Sequence, residues 1–419
     1  MEKLILIVAL FVVQAAAADQ VQTSADAFTR YELLAPDSNS FRIYYDVSAA
    51  TAGVSSYYNP IRRGSKPDVH GVYDRMTGEP LEWSLVNGNS AKESGLLPDA
   101  EPDAQFIRVE LARPVPPNGR GRMLIDKTYE DAASYFSDGD VITFSRTLGV
   151  KRNAITLPSG YELLSVNYPS QVATRADGRI EVSFINPGTI GVPYTMTARP
   201  LKGGLDRKPA SSTTNPSSSK LTSERPVARV DFDIPQRASQ SRDIVYYLQQ
   251  PETHSFRLYH DYAETRAGVD RYLNIVRPGS KASDPSAEIL DTGEKLKVEI
   301  LQGAEITARK IDIGEPVSEN TEVVVIWFDP VPEGGSKLLR ITETYTDPNR
   351  FFILGDEFIW DRSFGRSRNT VVLPERWYLT ANAVPAVIRT LEDGRVELTY
   401  SNDRPGNIDV LIRGRRRGN

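Results

Sequence analysis

The chain has 419 residues, with 50 Lys and Arg against 55 Asp and Glu, and no cysteine. The missing thiols exclude disulfides, thiolate metal centres, a cysteine nucleophile and a lipid-modified cysteine. The formal charge of −5 argues against a general nucleic-acid binder, which needs a basic face. At about 100–200 residues per domain, this length allows about two to four units, each able to bury its own core.

The first segment, Met1 to Ala18, reads as an export signal. Lys3 supplies the positive start, Leu4 to Val13 the apolar stretch, and Ala15 to Ala18 the small residues a signal peptidase accepts. The apolar run is shorter than the roughly 20 residues that span a bilayer, so cleavage after Ala17 or Ala18 is expected. No later stretch approaches a membrane span. An exported eukaryotic chain of this size more often carries disulfides, so a bacterial envelope location is expected, whether periplasmic, cell-surface or extracellular. Residues 19–27 are expected to form a loose leader.

From there the chain says the same thing twice. Ser40-Phe41-Arg42 returns as Ser255-Phe256-Arg257, Gly64-Ser65-Lys66 as Gly279-Ser280-Lys281, and Thr77-Gly78 as Thr292-Gly293. After a slip of one residue, Tyr129 matches Tyr345, Arg152-Asn153 matches Arg368-Asn369, and Asp177-Gly178-Arg179 matches Asp393-Gly394-Arg395. A solenoid repeats every 20–50 residues or so, and this far longer period means a duplicated globular unit. Repeat 1 is expected over residues 28–200, with parts at 28–125 and 126–200. Repeat 2 is expected over 243–413, with parts at 243–341 and 342–413. Residues 201–242 contain the Ser, Thr and Pro run from Pro209 to Ser219, which lacks the apolar residues to offset ordering entropy and reads as a flexible linker. A basic tail, 414–419, closes the chain. The two repeats are expected to behave as independent bodies on this tether.

Within each repeat the apolar residues alternate, which is the period of a half-buried strand. Phe41, Ile43 and Tyr45 alternate with Arg42 and Tyr44, and Phe106 to Leu111 alternates too, while Val323 to Phe328 is a solid apolar run suited to a covered strand. Asp177-Gly178 and Asp393-Gly394, each between two alternating runs, signal hairpins because glycine accepts the positive φ of the turn. No stretch shows extended helical spacing. The fold class is therefore all-β: a tandem duplication, each repeat built from two antiparallel β-sandwich-like (Ig-like) subdomains. One larger, continuous β-domain per repeat is the alternative.

Chemistry is sparse. The three histidines, His70, His254 and His260, do not recur between copies, and zinc needs three or four ligands. No H-E-x-x-H run, G-x-S-x-G elbow or phosphate-cradling glycine loop occurs. The recurring acids Asp46 and Asp261, and Asp140 and Asp356, read as turn and strand caps. The densest shared segment runs Phe144 to Asn153 and again Trp360 to Asn369. It supplies the candidate binding residues Arg146, Arg152, Asn153, Arg362, Arg368, Asn369 and Trp360, a polar patch beside an aromatic ring suited to a carboxylate, phosphate or sugar. The competing role is structural: arginine tied to carbonyls or to Asp140 and Asp356, asparagine holding a turn. Trp83, Trp327, Trp360 and Trp377 could line a sugar platform or anchor a core.

The run Val72-Tyr73-Asp74 through Thr77-Gly78 to Leu81, with the alternating strand that ends near Leu124, resembles the β-rich domains preceding the catalytic domains of secreted bacterial peptidases. The resemblance implies a scaffold only, because no catalytic part accompanies it. The expected function is a non-catalytic binding or scaffold protein of the bacterial envelope, with no cofactor and no metal. Its expected partner is a protein or a cell-envelope polymer such as a glycan, and not nucleic acid. A carbohydrate-binding protein and a carboxylate-based hydrolase are the alternatives.

Overall fold

Phe41 and Ile43 are buried on one face of their strand, while Arg42 and Tyr44 stand on the other, as the two-residue period demands. A computed structural model describes residues 21–201, 237–239, 241–404 and 406–417. The expected export signal, and residues 202–236 of the expected linker, lie outside the described residues.

Repeat 1 contains β1 (Ser24–Leu33), β2 (Ser40–Ala49), β3 (Ser56–Ile61), β4 (Lys66–Asp74), β5 (Trp83–Asn87), β6 (Gln105–Glu110), β7 (Gly121–Glu130), β8 (Tyr135–Asp138), β9 (Val141–Leu148), β10 (Arg152–Thr156), β11 (Tyr161–Val166), β12 (Gln171–Thr174), β13 (Ile180–Ile185) and β14 (Val192–Pro200). Repeat 2 contains β15 (Arg242–Leu248), β16 (Ser255–Glu264), β17 (Arg271–Ile275), β18 (Lys281–Ile289), β19 (Glu294–Lys295), β20 (Lys297–Gln302), β21 (Glu322–Trp327), β22 (Lys337–Thr346), β23 (Phe351–Leu354), β24 (Glu357–Phe364), β25 (Arg368–Val372), β26 (Trp377–Asn382), β27 (Val387–Thr390), β28 (Val396–Ser401) and β29 (Ile408–Arg416). Two short helices, α1 (Gly88–Glu93) and α2 (Gly303–Ala308), sit between β5 and β6 and between β20 and β21.

The two repeats share one topology. Repeat 1 has a central sheet ordered β12-β13-β10-β1-β2-β7-β4, with smaller sheets β11-β14-β9-β8 and β3-β6-β5. Repeat 2 has β19-β18-β22-β16-β15-β25-β28-β27, with β23-β24-β29-β26 and β17-β21-β20. The fold is a tandem pair of β-sandwich units. Each central sheet holds one parallel pair, β1 with β10 and β15 with β25, so it is mixed rather than wholly antiparallel. β10 reaches β1 only after the whole β2–β9 excursion, and parallel pairing needs such a long return.

Both expected internal boundaries fall inside a strand, 125/126 within β7 and 341/342 within β22. The central sheet draws strands from both sides of each boundary, so the two lobes of a repeat share it. In repeat 1, Ile107 and Val109 of one small sheet, and Phe144 and Tyr194 of the other, join Phe41, Ile43 and Ile125 in a single core. The polar pair Asp126-Lys127 looks like a break in the sequence, yet Lys127 continues the inward row Met123, Ile125, Tyr129 and is itself buried. Likewise the expected leader is strand β1 from Ser24 onward, paired with β2. The arginines of the expected tail are largely in β29, where Arg415 meets Asp356 and Glu357 at 3.2 Å. The apolar run Val323 to Ile326 is covered on both faces, because Ile306 of α2 packs with Val323 and Val325 while Val324 and Ile326 face the main core.

The repeats are not separate bodies. They meet across a pseudo-twofold seam in which residues in register between the copies exchange roles, the pattern of an isologous interface. Arg120 N–H donates to Leu290 O at 2.7 Å, and Ser336, in register with Arg120, donates from Oγ to the O of Arg75, the residue in register with Leu290, at 2.7 Å and from its N–H to Met76 O at 3.2 Å. A Cβ on Gly119 would lie 2.6 Å from Leu290 O, and one on its counterpart Gly335 would lie 2.5 Å from Met76 O. Only glycine permits that approach. The symmetry is broken by one buried ion pair: Arg122 Nε and Nη2 donate to Asp291 at 2.5 and 2.7 Å, and Nη1 donates to Ser336 Oγ at 3.0 Å.

Candidate functional site

The duplicated arginines of the sequence motif converge at this seam. β1 carries Asp26 to the start of the central sheet, and β10 and β25 bring Arg152 and Arg368 from their separate repeats. Arg152 grips the Asp26 carboxylate with Nε at 3.0 Å and Nη2 at 2.5 Å, and its Nη1 donates to Ala238 O at 2.6 Å. Arg368 Nη1 donates to the same carboxylate at 2.9 Å, and its Nε lies 3.4 Å from Asp243. Burial opposes ionisation of Asp26, but Arg152 and Arg368 hold its pKa below the usual carboxylate value. Asp243 has gone the other way. Burial, helped by the neighbouring Asp26 charge and opposed by Arg368, raises it to about 6.

Beside this cluster lies a cleft of about 510 Å3, walled by the polar face of β15, β16 and β22 and by Ser24–Asp26, Arg120, Lys151 and the 186–189 turn of repeat 1. Most of its cations are neutralised. Arg340 donates to both Asp261 oxygens at 2.8 and 2.7 Å, and Arg389 donates to Glu397 at 2.6 Å. Arg120 and Lys151 are different. Among the described residues neither makes a salt bridge: Arg120 Nη1 donates to Gly119 O at 2.7 Å, and Lys151 Nζ to Gly188 O. Burial lowers both pKa values, with Arg340 adding repulsion at Arg120 and Arg368 and Arg389 at Lys151. The residues in register in the second copy are Ser336 and Ser367. The fold therefore does not require a cation at either place.

The remaining motif residues have structural settings. Arg146 Nη1 donates to Asp131 at 3.0 Å and lies over Phe41, and Arg362 repeats this with Asp347 at 3.0 Å over Phe256. The acid is thus Asp131 or Asp347, whereas Asp140 and Asp356, the expected partners, are exposed at hairpin turns. Hydrogen bonding puts the tying acid next to the inward arginine, a pairing that strand register decides and residue spacing does not reveal. Asn153 Nδ2 donates to Val150 O at 2.8 Å and Asn369 Nδ2 to Arg366 O at 3.0 Å, each closing the turn before β10 or β25. Trp360 is wholly buried among Tyr246, Phe256 and Phe364. Trp377 is also buried, and Trp83 is exposed alone at the edge of its small sheet, which counts against a row of rings for sugar. His254 Nδ1 pairs with Phe351 O at 2.8 Å. His260 is fully buried beside Tyr272, and burial keeps its pKa well below the ordinary value. Among the described residues no group of three or more His, Asp or Glu is placed to hold a metal, and no helix is long and apolar enough to cross a membrane.

Sequence reasoning named Arg152 and Arg368 but missed Asp26, Arg120 and Lys151. The available signal was the loss of both cations in register, Arg120 against Ser336 and Lys151 against Ser367.

No protein-family model matches the chain, and no curated protein matches it. Among solved structures, it is similar to an M1 zinc metallopeptidase from Deinococcus radiodurans over 44% of this chain and 43% of the other, at 12% identity and a TM-score of 0.31. An aminopeptidase N family protein from Idiomarina loihiensis is similar over 41% of this chain and 29% of its own, at 12% identity and a TM-score of 0.24. Collagen adhesin from S. aureus covers 82% of this chain with 86% of its own, at 10% identity and a TM-score of 0.16. The chain thus spans less than half the length of the peptidases it matches.

Proposed function

We propose that the chain is an exported, non-catalytic binding protein of the bacterial envelope whose seam cleft takes an acidic segment of a partner protein. One observation carries this reading: among the described residues Arg120 and Lys151 line the cleft without a salt bridge, at positions where the other copy manages with serine. Each is desolvated and repelled by neighbouring arginines, Arg120 by Arg340 and Lys151 by Arg368 and Arg389, and an incoming carboxylate relieves that repulsion. The cleft also reaches Val387 and Arg389 of β27, the edge strand of the larger sheet, where an extended peptide can add as a further strand. Export rests on the Met1–Ala18 pattern and the absence of cysteine.

The test is binding of fluorescent polyglutamate to the full chain at low and physiological salt, with Arg120→Ser/Lys151→Ser as the variant. Binding that weakens with salt, and at least about fivefold in the variant, is expected. Tighter binding of polygalacturonate would move the partner to an anionic glycan, and no binding of either would remove the cleft as the site. A second reading, a carboxylate hydrolase, draws on Asp243 raised to about 6 beside ionised Asp26, the separation of pKa values that acid–base pairs use. Glycoside turnover lost in Asp243→Asn would favour it.

A further inference from the structure

A second cavity, of about 680 Å3, lies in repeat 1 between β3 and the inward face of β1, β2 and β7, and reaches β9. Lys127 stands among the residues lining it. The side chain is only 4% exposed, and its ammonium donates to the neutral Asn59 Oδ1. The Tyr129 and Tyr45 rings lie 4.9 and 6.0 Å away. Among the described residues no carboxylate lies within ion-pair distance of it. The other charged and titratable groups of the cavity are Arg146 on β9, already bound to Asp131, Arg62 beyond β3, and Tyr31, Tyr45, Tyr57, Tyr58 and Tyr129. Burial raises the pKa values of Tyr31, Tyr45, Tyr57 and Tyr129, so those phenols are neutral. Burial, with a contribution from Arg146, brings Lys127 down to about 7.

The second repeat answers the same position in the opposite way. Glu343 stands in register with Lys127 and Asn274 with Asn59, and the amide is turned so that Asn274 Nδ2 donates to the carboxylate at 2.7 and 3.0 Å. Val150 is replaced by Arg366, which reaches Tyr272 Oη at 3.3 Å and whose charge acts on Glu343. Repeat 2 thus contains both an acid and a cation. At that position repeat 1 sets Lys127, with no acid beside it among the described residues, and open space. An isolated buried ammonium is costly, and a methionine would fill its place without that cost. Such a residue is the mark of a ligand site rather than of packing.

We propose that this cavity binds a small organic monocarboxylate with a flat, apolar body. The carboxylate pairs with Lys127, and the body lies among Tyr31, Tyr45, Tyr57 and Phe106. The volume lies within the range of about 300–1,000 Å3 for small-molecule pockets. One buried ammonium supplies the charge for a monoanion; a phosphate dianion needs further buried donors, and Arg146 is committed to Asp131 while Arg62 is exposed. Pairing restores the full charge of Lys127, so near neutral pH the ligand is taken up together with a proton.

Calorimetry of the full chain with benzoate, phenylacetate and indole-3-acetate at about pH 7.5, in phosphate and in Tris, tests this. Expected is binding by at least one probe, with heats that differ between buffers by the uptake of about half a proton or more. Lys127→Met should fold, as its thermal transition will show, and should weaken binding at least about tenfold. Arg199→Ser, exposed on β14 and paired with Glu162, should leave it unchanged. No binding of any probe up to about 10 mM, unaltered affinity in a folded Lys127→Met, or heats independent of buffer would each overturn the assignment.

Discussion

Replacing Arg122 by alanine should destabilise the whole protein, not one repeat. The guanidinium is 9% exposed and its partner Asp291 is fully buried. Arg122 makes four hydrogen bonds across the seam, two to Asp291 and two to Ser336 at 3.0 and 2.9 Å. After truncation, the Asp291 carboxylate keeps the Leu338 N–H at 3.2 Å and little else. Removing one partner of a buried pair costs about 3–5 kcal/mol, because the remaining charge is left uncompensated. The pseudo-twofold supplies a control. The positions in register with Arg122 and Asp291 are Leu338 and Met76, apolar residues at both places. Arg122→Leu/Asp291→Met should therefore recover most of the loss, since apolar replacement of a buried pair is often neutral or stabilising by about 1–4 kcal/mol. Urea titration followed by tryptophan fluorescence measures both. A single substitution costing under about 1 kcal/mol, or a double variant no better than the single one, would refute this reading of the seam.

Three further outcomes are expected. Arg362→Ala should cost about 2–4 kcal/mol in a thermal or urea melt, because Asp347 loses its guanidinium while remaining buried. Lys127→Met should raise stability by about 2–4 kcal/mol at neutral pH. The folded pKa of about 7 lies below the model value of 10.5, so the wild-type penalty is complete below pH 7 and fades as pH rises towards 10.5, narrowing the gap between the two proteins. Asp243 carries the reverse sign. Its folded pKa of about 6 lies above 3.8, so its cost is absent below about pH 4, grows between 4 and 6, and is complete above. Asp243→Asn should flatten that slope and gain about 1–2 kcal/mol at neutral pH, the lower figure reflecting a side chain that is 26% exposed.

Much of the fold can be read along the chain because strands announce themselves locally. The alternation at Phe41 to Tyr45 and the Asp-Gly turns at 177–178 and 393–394 correspond to real strands and hairpins, with Gly178 and Gly394 at φ of +82° and +81°. Internal repetition did the rest, since two copies must share one topology. What could not be read depends on register and on contacts between copies. Asp131, not Asp140, ties Arg146, because the turn that Asp131 opens places its carboxylate beside the inward guanidinium. The seam was invisible for the same reason: Gly119, Arg120 and Met76 look like turn residues until the other copy is set against them. Lys127 carried no signal of its own along the chain. A charged residue in an apolar row signals an edge or boundary in most strands, whereas here it marks the floor of a cavity.

Cutting the chain between its repeats tests most directly whether they form one body with a cleft at the junction. A protease site placed within residues 209–219 and cleaved under native conditions would leave two fragments for size-exclusion chromatography. Co-elution as a single species that still binds polyglutamate is the expected result. Separate elution of two folded halves, or binding retained by one half alone, would contradict it.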